Sequence, residues 1–232
     1  MVDTTLWYAL GSVGMALGTI YAVWGYVAGG RRHGRYYLVL ALITGIATVA
    51  YGLLAVGVGQ VPVDGAIFYV PRYVDWLLTT PLLVLFLAML AQPSRRTYAT
   101  LVLLEVVVIG SGTGAAFAPT PVDWLAYLAG LAAYLWIVYQ LVRVLPGQAA
   151  LDAHRPAAIF TKLRNLTVVL WSIYPIVWLL GPFGVGYLLV ETEAIVVTYL
   201  DLLAKVGFVV IAVNGRDALT VLSTSTTSAQ PS

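Results

Sequence analysis

The stretch YLLVETEAIVVTYLDLLAKVGFVVIAV, residues 187–213, is long enough to cross a bilayer as one helix, yet it carries Asp201 and Lys205 within it. A helix needs about 20 apolar residues to span the hydrocarbon core. Six more stretches meet that requirement, near 5–29, 36–58, 69–91, 98–118, 121–145 and 160–181. The composition agrees: 61% of the 232 residues are hydrophobic and 9% are charged, against about 25% charged in soluble domains. A soluble fold has too little interior to hide this much apolar surface. The expected fold is therefore all-α, a bundle of seven transmembrane helices.

The basic residues set the expected direction of the chain. Arg31, Arg32 and Arg35 follow the first span, and Arg95 and Arg96 the third. Arg143, Arg155, Lys162 and Arg164 flank the fifth connection, and Arg216 follows the last span. All fall on one side, while Asp3, Asp64, Asp123, Glu191 and Glu193 fall on the other. The positive-inside rule then places the N-terminus outside and the C-terminus in the cytoplasm. Residues 1–220 are expected to form one membrane domain, and the polar, low-complexity residues 221–232 a disordered cytoplasmic tail. The start, MVDTTLWYAL, has no basic segment before its apolar run, which reads as a first mature helix and not a cleaved signal. Between the second and third spans, Asp64-Gly65 lies between short β-branched runs, a signal for a small hairpin.

Other function classes recede. The chain has no cysteine, so thiol chemistry and disulfides are excluded. His33 and His154 lie in polar connections, so no metal centre is expected. The formal net charge of +2 gives no sign of nucleic-acid binding.

Charges inside the spans are costly and mark function by default. Two basic residues lie there, Arg72 and Lys205, and two carboxylates join them, Asp75 and Asp201. Asp201 and Lys205 are four apart and Arg72 and Asp75 three apart, so each pair shares a helix face. If those faces meet, two positive and two negative charges form a neutral cluster. One reading is a structural ion-pair network. The other is chemical: Trp76, Thr79, Thr80 and Leu83 on the third span, and Trp171, Tyr174, Pro175 and Trp178 on the sixth, flank a lone buried amine. Such a slot suits a long, flat aldehyde held through the amine.

These residues also carry a resemblance. RYVDWLLTTPLL (72–83), LRNLTVVLWSIYPIVWLLGP (163–182) and LDLLAKVGF (200–208) resemble three helix motifs of the microbial, archaeal-type rhodopsins, over essentially the whole chain. The resemblance implies a photoreceptor, not an enzyme, with all-trans-retinal bound covalently to Lys205 as a protonated Schiff base. It implies Asp75 as counterion and proton acceptor, Asp201 as second counterion and Arg72 as the arginine below it. Tyr51, Tyr73, Trp76, Thr79, Thr80, Leu83, Val108, Gly112, Gly130, Tyr134, Trp171, Tyr174, Pro175, Trp178 and Ala204 match pocket or counterion-network positions, as do Gly110 and Tyr127. After light absorption, the proton is expected to pass to Asp75 and the sixth helix to bend at Pro175.

Within that family the chain is most similar to sensory rhodopsin II. Where outward proton pumps carry a cytoplasmic carboxylic donor, eleven residues past the counterion, this chain has Phe86. The resemblance therefore implies a slow-cycling phototaxis sensor, and as the alternative a weak light-driven outward proton pump. A halide pump is disfavoured by the fixed charge of Asp75, and a cation channel by the apolar second and seventh spans. Expected partners are retinal, the lipid bilayer of a haloarchaeal cell membrane, and a two-helix methyl-accepting transducer docked on the sixth and seventh helices at Tyr199. A homo-oligomer is the further assembly this reading admits. Glu193 resembles an extracellular release carboxylate whose usual acidic partner is here Phe183. Ala204 departs from sensory rhodopsin II, which carries Thr or Ser there, and gives the chain a likeness to the middle rhodopsins.

Overall fold

A computed structural model describes residues 4–29, 34–148 and 154–215 of the chain. Among these, seven helices are long and apolar enough to cross a membrane. They are α1 (Thr4–Gly29), α2 (Gly34–Ala55), α3 (Val70–Ala91) and α4 (Arg95–Phe117), followed by α5, α6 and α7. Helix α5 runs Val122–Tyr139 and continues through a π-helical stretch, Gln140–Val144, to Leu145–Gln148. Helix α6 is His154–Trp171 and Ile173–Leu180, broken by a turn at Ser172. Helix α7 is Val190–Asp201, a π-helical stretch Leu202–Gly207, and Phe208–Asn214.

The expected hairpin is present. Strands β1 (Gln60–Val63) and β2 (Ala66–Tyr69) pair antiparallel around Asp64 and Gly65, both with positive φ. Such a two-residue turn needs left-handed backbone at both positions, which Asp tolerates and Gly adopts freely. Helix ends shift by a few residues from the sequence reading. The second helix stops at Ala55, not 58, because Gly57 and Gly59 take positive φ and turn the chain into β1. The sixth starts earlier than 160, at His154, with Pro156 in its first turn, where a missing amide costs no intrahelical bond, and its polar start shows no apolar periodicity in the sequence. Arg31, Arg32, His33, Arg216 and the expected tail lie outside the described residues.

The bundle is arranged for lipid. On α1, Leu6, Val13, Leu17 and Ile20 are all exposed, and every other helix shows large apolar side chains outward as well. In water such a surface would demand a partner. Inside, one face of α3 buries Arg72, Asp75, Thr79, Leu83, Phe86 and Leu90, a stripe at three- and four-residue spacing. Pro71 sits in the first turn of α3, where no amide partner is lost. Ser94 caps α4, its hydroxyl accepting from the Thr97 amide at 3.2 Å.

Candidate functional site

Lys205 lies inside the π-helical stretch of α7 and is 2% exposed. Wide π turns inside α-helices recur at functional sites because they re-aim side chains that a regular helix would place elsewhere. Here the amine reaches across to α3 and pairs with Asp75 Oδ2. Its second carboxylate is Asp201, one turn earlier on α7, at 3.7 Å. The two faces expected to meet do meet.

The two carboxylates differ in what else holds them. Asp201 is clamped by three side chains from three helices. Tyr51 donates to its Oδ2 at 2.7 Å and Tyr174 to its Oδ1 at 2.5 Å. Trp76 Nε1 donates to both oxygens at 3.1 and 3.2 Å. The side-chain partner of Asp75 is Lys205. A proton arriving at Asp201 must compete with these donors, whereas one leaving Lys205 Nζ faces Asp75 Oδ2 directly.

Arg72 is held by other partners than the two aspartates. Its Nη1 donates to Glu193 Oε1 at 3.1 Å and its Nη2 to Tyr8 Oη at 3.1 Å, with Tyr69 under the guanidinium at 4.9 Å. The cluster is thus not two charges against two. Glu193 joins it, making three carboxylates around two cations. The length of the arginine stem explains this: a residue three positions from Asp75 can still carry its head group a full turn away.

A cavity opens beside the amine. Lys205, Asp201 and Ala204 line it from α7, and Trp171, Tyr174, Pro175 and Trp178 from α6. Tyr73, Trp76, Thr80 and Leu83 line it from α3, Val108 and Gly112 from α4, and Tyr127, Gly130 and Tyr134 from α5. Among the expected pocket residues Thr79 stands behind the wall, its hydroxyl donating to the Asp75 carbonyl at 2.8 Å. Gly110, with no side-chain contact to make, is also outside it. An aromatic and aliphatic slot with one buried amine in its wall fits a polyene aldehyde condensed on that amine.

The sequence reading missed one ionisable residue in the membrane. Glu105, mid-way along α4, is 2% exposed and lines the same cavity. The signal was available, since any carboxylate inside a span qualifies by the rule that selected Asp75. It has no charged neighbour at helical spacing, so pair spacing does not single it out. Tyr199, expected at a partner surface, is 54% exposed and rests against Trp7 of α1, ring centroids 5.9 Å apart. Phe86 is fully buried, edge-on to Tyr36 and to Phe208.

Comparison with known proteins agrees with this arrangement. The family model for bacteriorhodopsin-like proteins matches residues 3–219. Sensory rhodopsin-2 of Natronomonas pharaonis is 41% identical over 219 residues, covering 94% of this chain and 92% of the relative. Bacteriorhodopsin of Haloterrigena sp. is 41% identical over 233 residues, covering 96% and 92%. The crystal structure of thermophilic rhodopsin from Rubrobacter xylanophilus superposes with a TM-score of 0.91 at 37% identity, covering 95% of this chain and 99% of the other.

Proposed function

The chain belongs to the bacteriorhodopsin-like family, and on that premise we propose that it is a retinal-binding photoreceptor that uses Lys205 as its attachment residue and Asp75 as its proton acceptor. The observation that carries this reading is the pairing of Lys205 Nζ with Asp75 Oδ2 beside an Asp201 already held by Tyr51, Trp76 and Tyr174. All-trans-retinal, when bound, supplies light-driven isomerisation. The protein's own part is electrostatic. Asp75 and Asp201 keep a positive charge on the Lys205 nitrogen tolerable in a low-dielectric interior. With retinal held on Lys205, weakening of the attraction between the nitrogen's positive charge and Asp75 would let the proton pass from that nitrogen to Asp75 Oδ2, leaving both neutral. With that ion pair neutralised, α3 and α7 are no longer drawn together at this point. Residues 1–220 act as the photoreceptor domain and residues 221–232 as its tail, with the C-terminus cytoplasmic by the charge asymmetry of the loops.

The output is phototaxis signalling through a two-helix transducer, with a slow return to the dark state. Phe86 supports this, because the route from the cytoplasm to Lys205 holds an aromatic cluster where a pump needs an acid. Tyr199 and the outward faces of α6 and α7 are the surface offered to the transducer. The second reading, weak outward pumping, draws its support from Ala204, which lacks the hydroxyl that sensory rhodopsin II places there.

The test is pigment formation. Apoprotein mixed with all-trans-retinal is expected to give a visible-absorbing species that hydroxylamine bleaches in the light. Lys205→Ala should give none. Pigment in that variant would refute the assignment of Lys205.

A further inference from the structure

Helix α3 ends at Ala91 and leaves the Met89 carbonyl without a donor from its own backbone. Gln92 takes a left-handed conformation and gives its amide to the Ala88 carbonyl at 2.7 Å. The amide four residues past Met89 would belong to Pro93, which has none. Helix-end carbonyls that the helix cannot satisfy need another partner. Tyr36 of α2, 53 residues earlier, supplies it: its hydroxyl donates to the Met89 carbonyl at 3.4 Å.

The ring of Tyr36 has a second role. Tyr36 is 1% exposed and stands edge-on to Phe86 of α3, with 5.9 Å between centroids, and Phe86 stands edge-on to Phe208 of α7 at 5.4 Å. Phe208 lies three residues past Lys205. The three rings therefore run in contact from the end of α2 that the loop charges mark as cytoplasmic to the turn of α7 after the amine. On the outer side, Arg35 is exposed, its guanidinium 5.1 Å from the Tyr36 ring and its Nη2 3.5 Å from the hydroxyl oxygen. A hydroxyl gives one proton and can also accept, so Tyr36 gives to Met89 and accepts from Arg35. At these lengths both bonds are weak and open readily.

We propose that Tyr36 is a positioning residue for proton return: its hydroxyl, bridging Arg35 and the Met89 carbonyl, latches the cytoplasmic ends of α2 and α3 and holds the Phe86 ring across the way to Lys205. This rests on the reading above, in which Lys205 carries retinal, gives its proton to Asp75 and regains one from bulk water. Water reaches the amine along this line when the Phe86 ring moves, and the ring is blocked toward α2 while Tyr36 is fixed against it. The latch thus sets how often the path opens. Tyr36→Phe keeps the ring and its packing and removes the tie alone.

Wild type, Tyr36→Phe and Arg35→Gln, each as the full chain in lipid with all-trans-retinal, are compared by flash photolysis at one pH near neutrality. In Tyr36→Phe the proton should return roughly two- to fourfold faster, the factor of one weak neutral hydrogen bond. Arg35→Gln should speed it less, because the hydroxyl keeps Met89 and loses only the charged donor that strengthens its bond. The absorption maximum and the rise of the deprotonated state should match wild type in both, since Tyr36 is not among the residues that line the slot. A general loosening of the bundle would move these as well. Unchanged or slower return in Tyr36→Phe overturns the proposal, as does faster return with a shifted maximum. If Tyr36→Phe does not fold, Arg35→Gln, altered at an exposed position, decides alone, and an unchanged return there overturns the proposal. Absence of pigment from wild type overturns the retinal reading itself, and this proposal with it; pigment with unaltered return overturns this proposal only.

Discussion

Arg72 Nη1 lies 3.1 Å from Glu193 Oε1, so the arginine of α3 is tied to the first turn of α7 and not to the aspartate three residues along its own helix. This pairing separates the site into two layers. Lys205 is left to Asp75 and Asp201, and Arg72 to Glu193, Tyr8 and Tyr69.

Because Glu193 is paired with Arg72 at 3.1 Å, and the resemblance implies Phe183 in place of the second acid that would share a proton, wild type should release no proton early in the cycle. A pH dye in the medium measures this. Glu193→Gln should leave the timing unchanged and lower the stability of the pigment by about 1 kcal/mol, the difference between a charged and a neutral hydrogen bond. Early release that disappears in Glu193→Gln would contradict the pairing.

Phe86 packs edge-on against Tyr36 and Phe208 with no carboxyl among them. The proton returned to Lys205 must then come from bulk water. Its return should slow as pH rises, and azide should speed it. Phe86→Asp should accelerate it by about 10²-fold, the low end of what a positioned acid contributes. Flash photolysis across a pH series reads all three. Glu105→Gln belongs in the same series: if it alone slows the return, the donor is Glu105 and the bulk-water account fails.

Tyr174 gives its proton to Asp201 at 2.5 Å, which leaves its oxygen able to accept. Ala204, one residue before Lys205, offers no donor. Ala204→Thr should supply one and add about 0.5–1.5 kcal/mol, enough to change a signalling equilibrium several-fold. The check is light-dependent phototaxis through a sensory rhodopsin II transducer. Equal signalling by wild type and variant would remove the case for an intermediate between pump and sensor.

Helix α6 breaks at Ser172, and Pro175 lacks the amide that would bind the Trp171 carbonyl. Two tyrosines of α5, seven residues apart, straddle the break. Tyr127 donates to the Pro175 carbonyl at 3.2 Å. Tyr134 lies 2.7 Å from Ser172 Oγ, which itself donates to the Val168 carbonyl at 2.7 Å. These contacts restrain any outward swing of the lower half of α6. Tyr127→Phe and Tyr134→Phe should each release about 0.5–1.5 kcal/mol of restraint and enlarge the light-induced distance change between spin labels on α6 and α3. No change in the double variant would mean that α5 does not hold the hinge.

The sequence by itself determined the seven spans, the hairpin, and the identity of Lys205, Asp75 and the tryptophans of the slot. The physical reason is that burial in lipid makes each intramembrane charge expensive, so composition and spacing alone expose it. The membrane also forces the spans to be helical, so i,i+3 and i,i+4 spacing points to shared faces, and Asp201 and Lys205 still share one although Lys205 lies in a π-helical stretch. Only the tertiary structure decided which charge meets which. The stem of Arg72 spans a full turn, so spacing could not tell Asp75 from Glu193 as its partner. Asp201 gains Tyr51, Trp76 and Tyr174 from three different helices, contacts separated by 27 to 150 residues of sequence. Glu105 has no charged neighbour at helical spacing, and only the packing of α4 against α3 and α5 shows that it faces the slot. Pairings that cross between helices depend on how the faces dock, and docking is a property of the whole bundle.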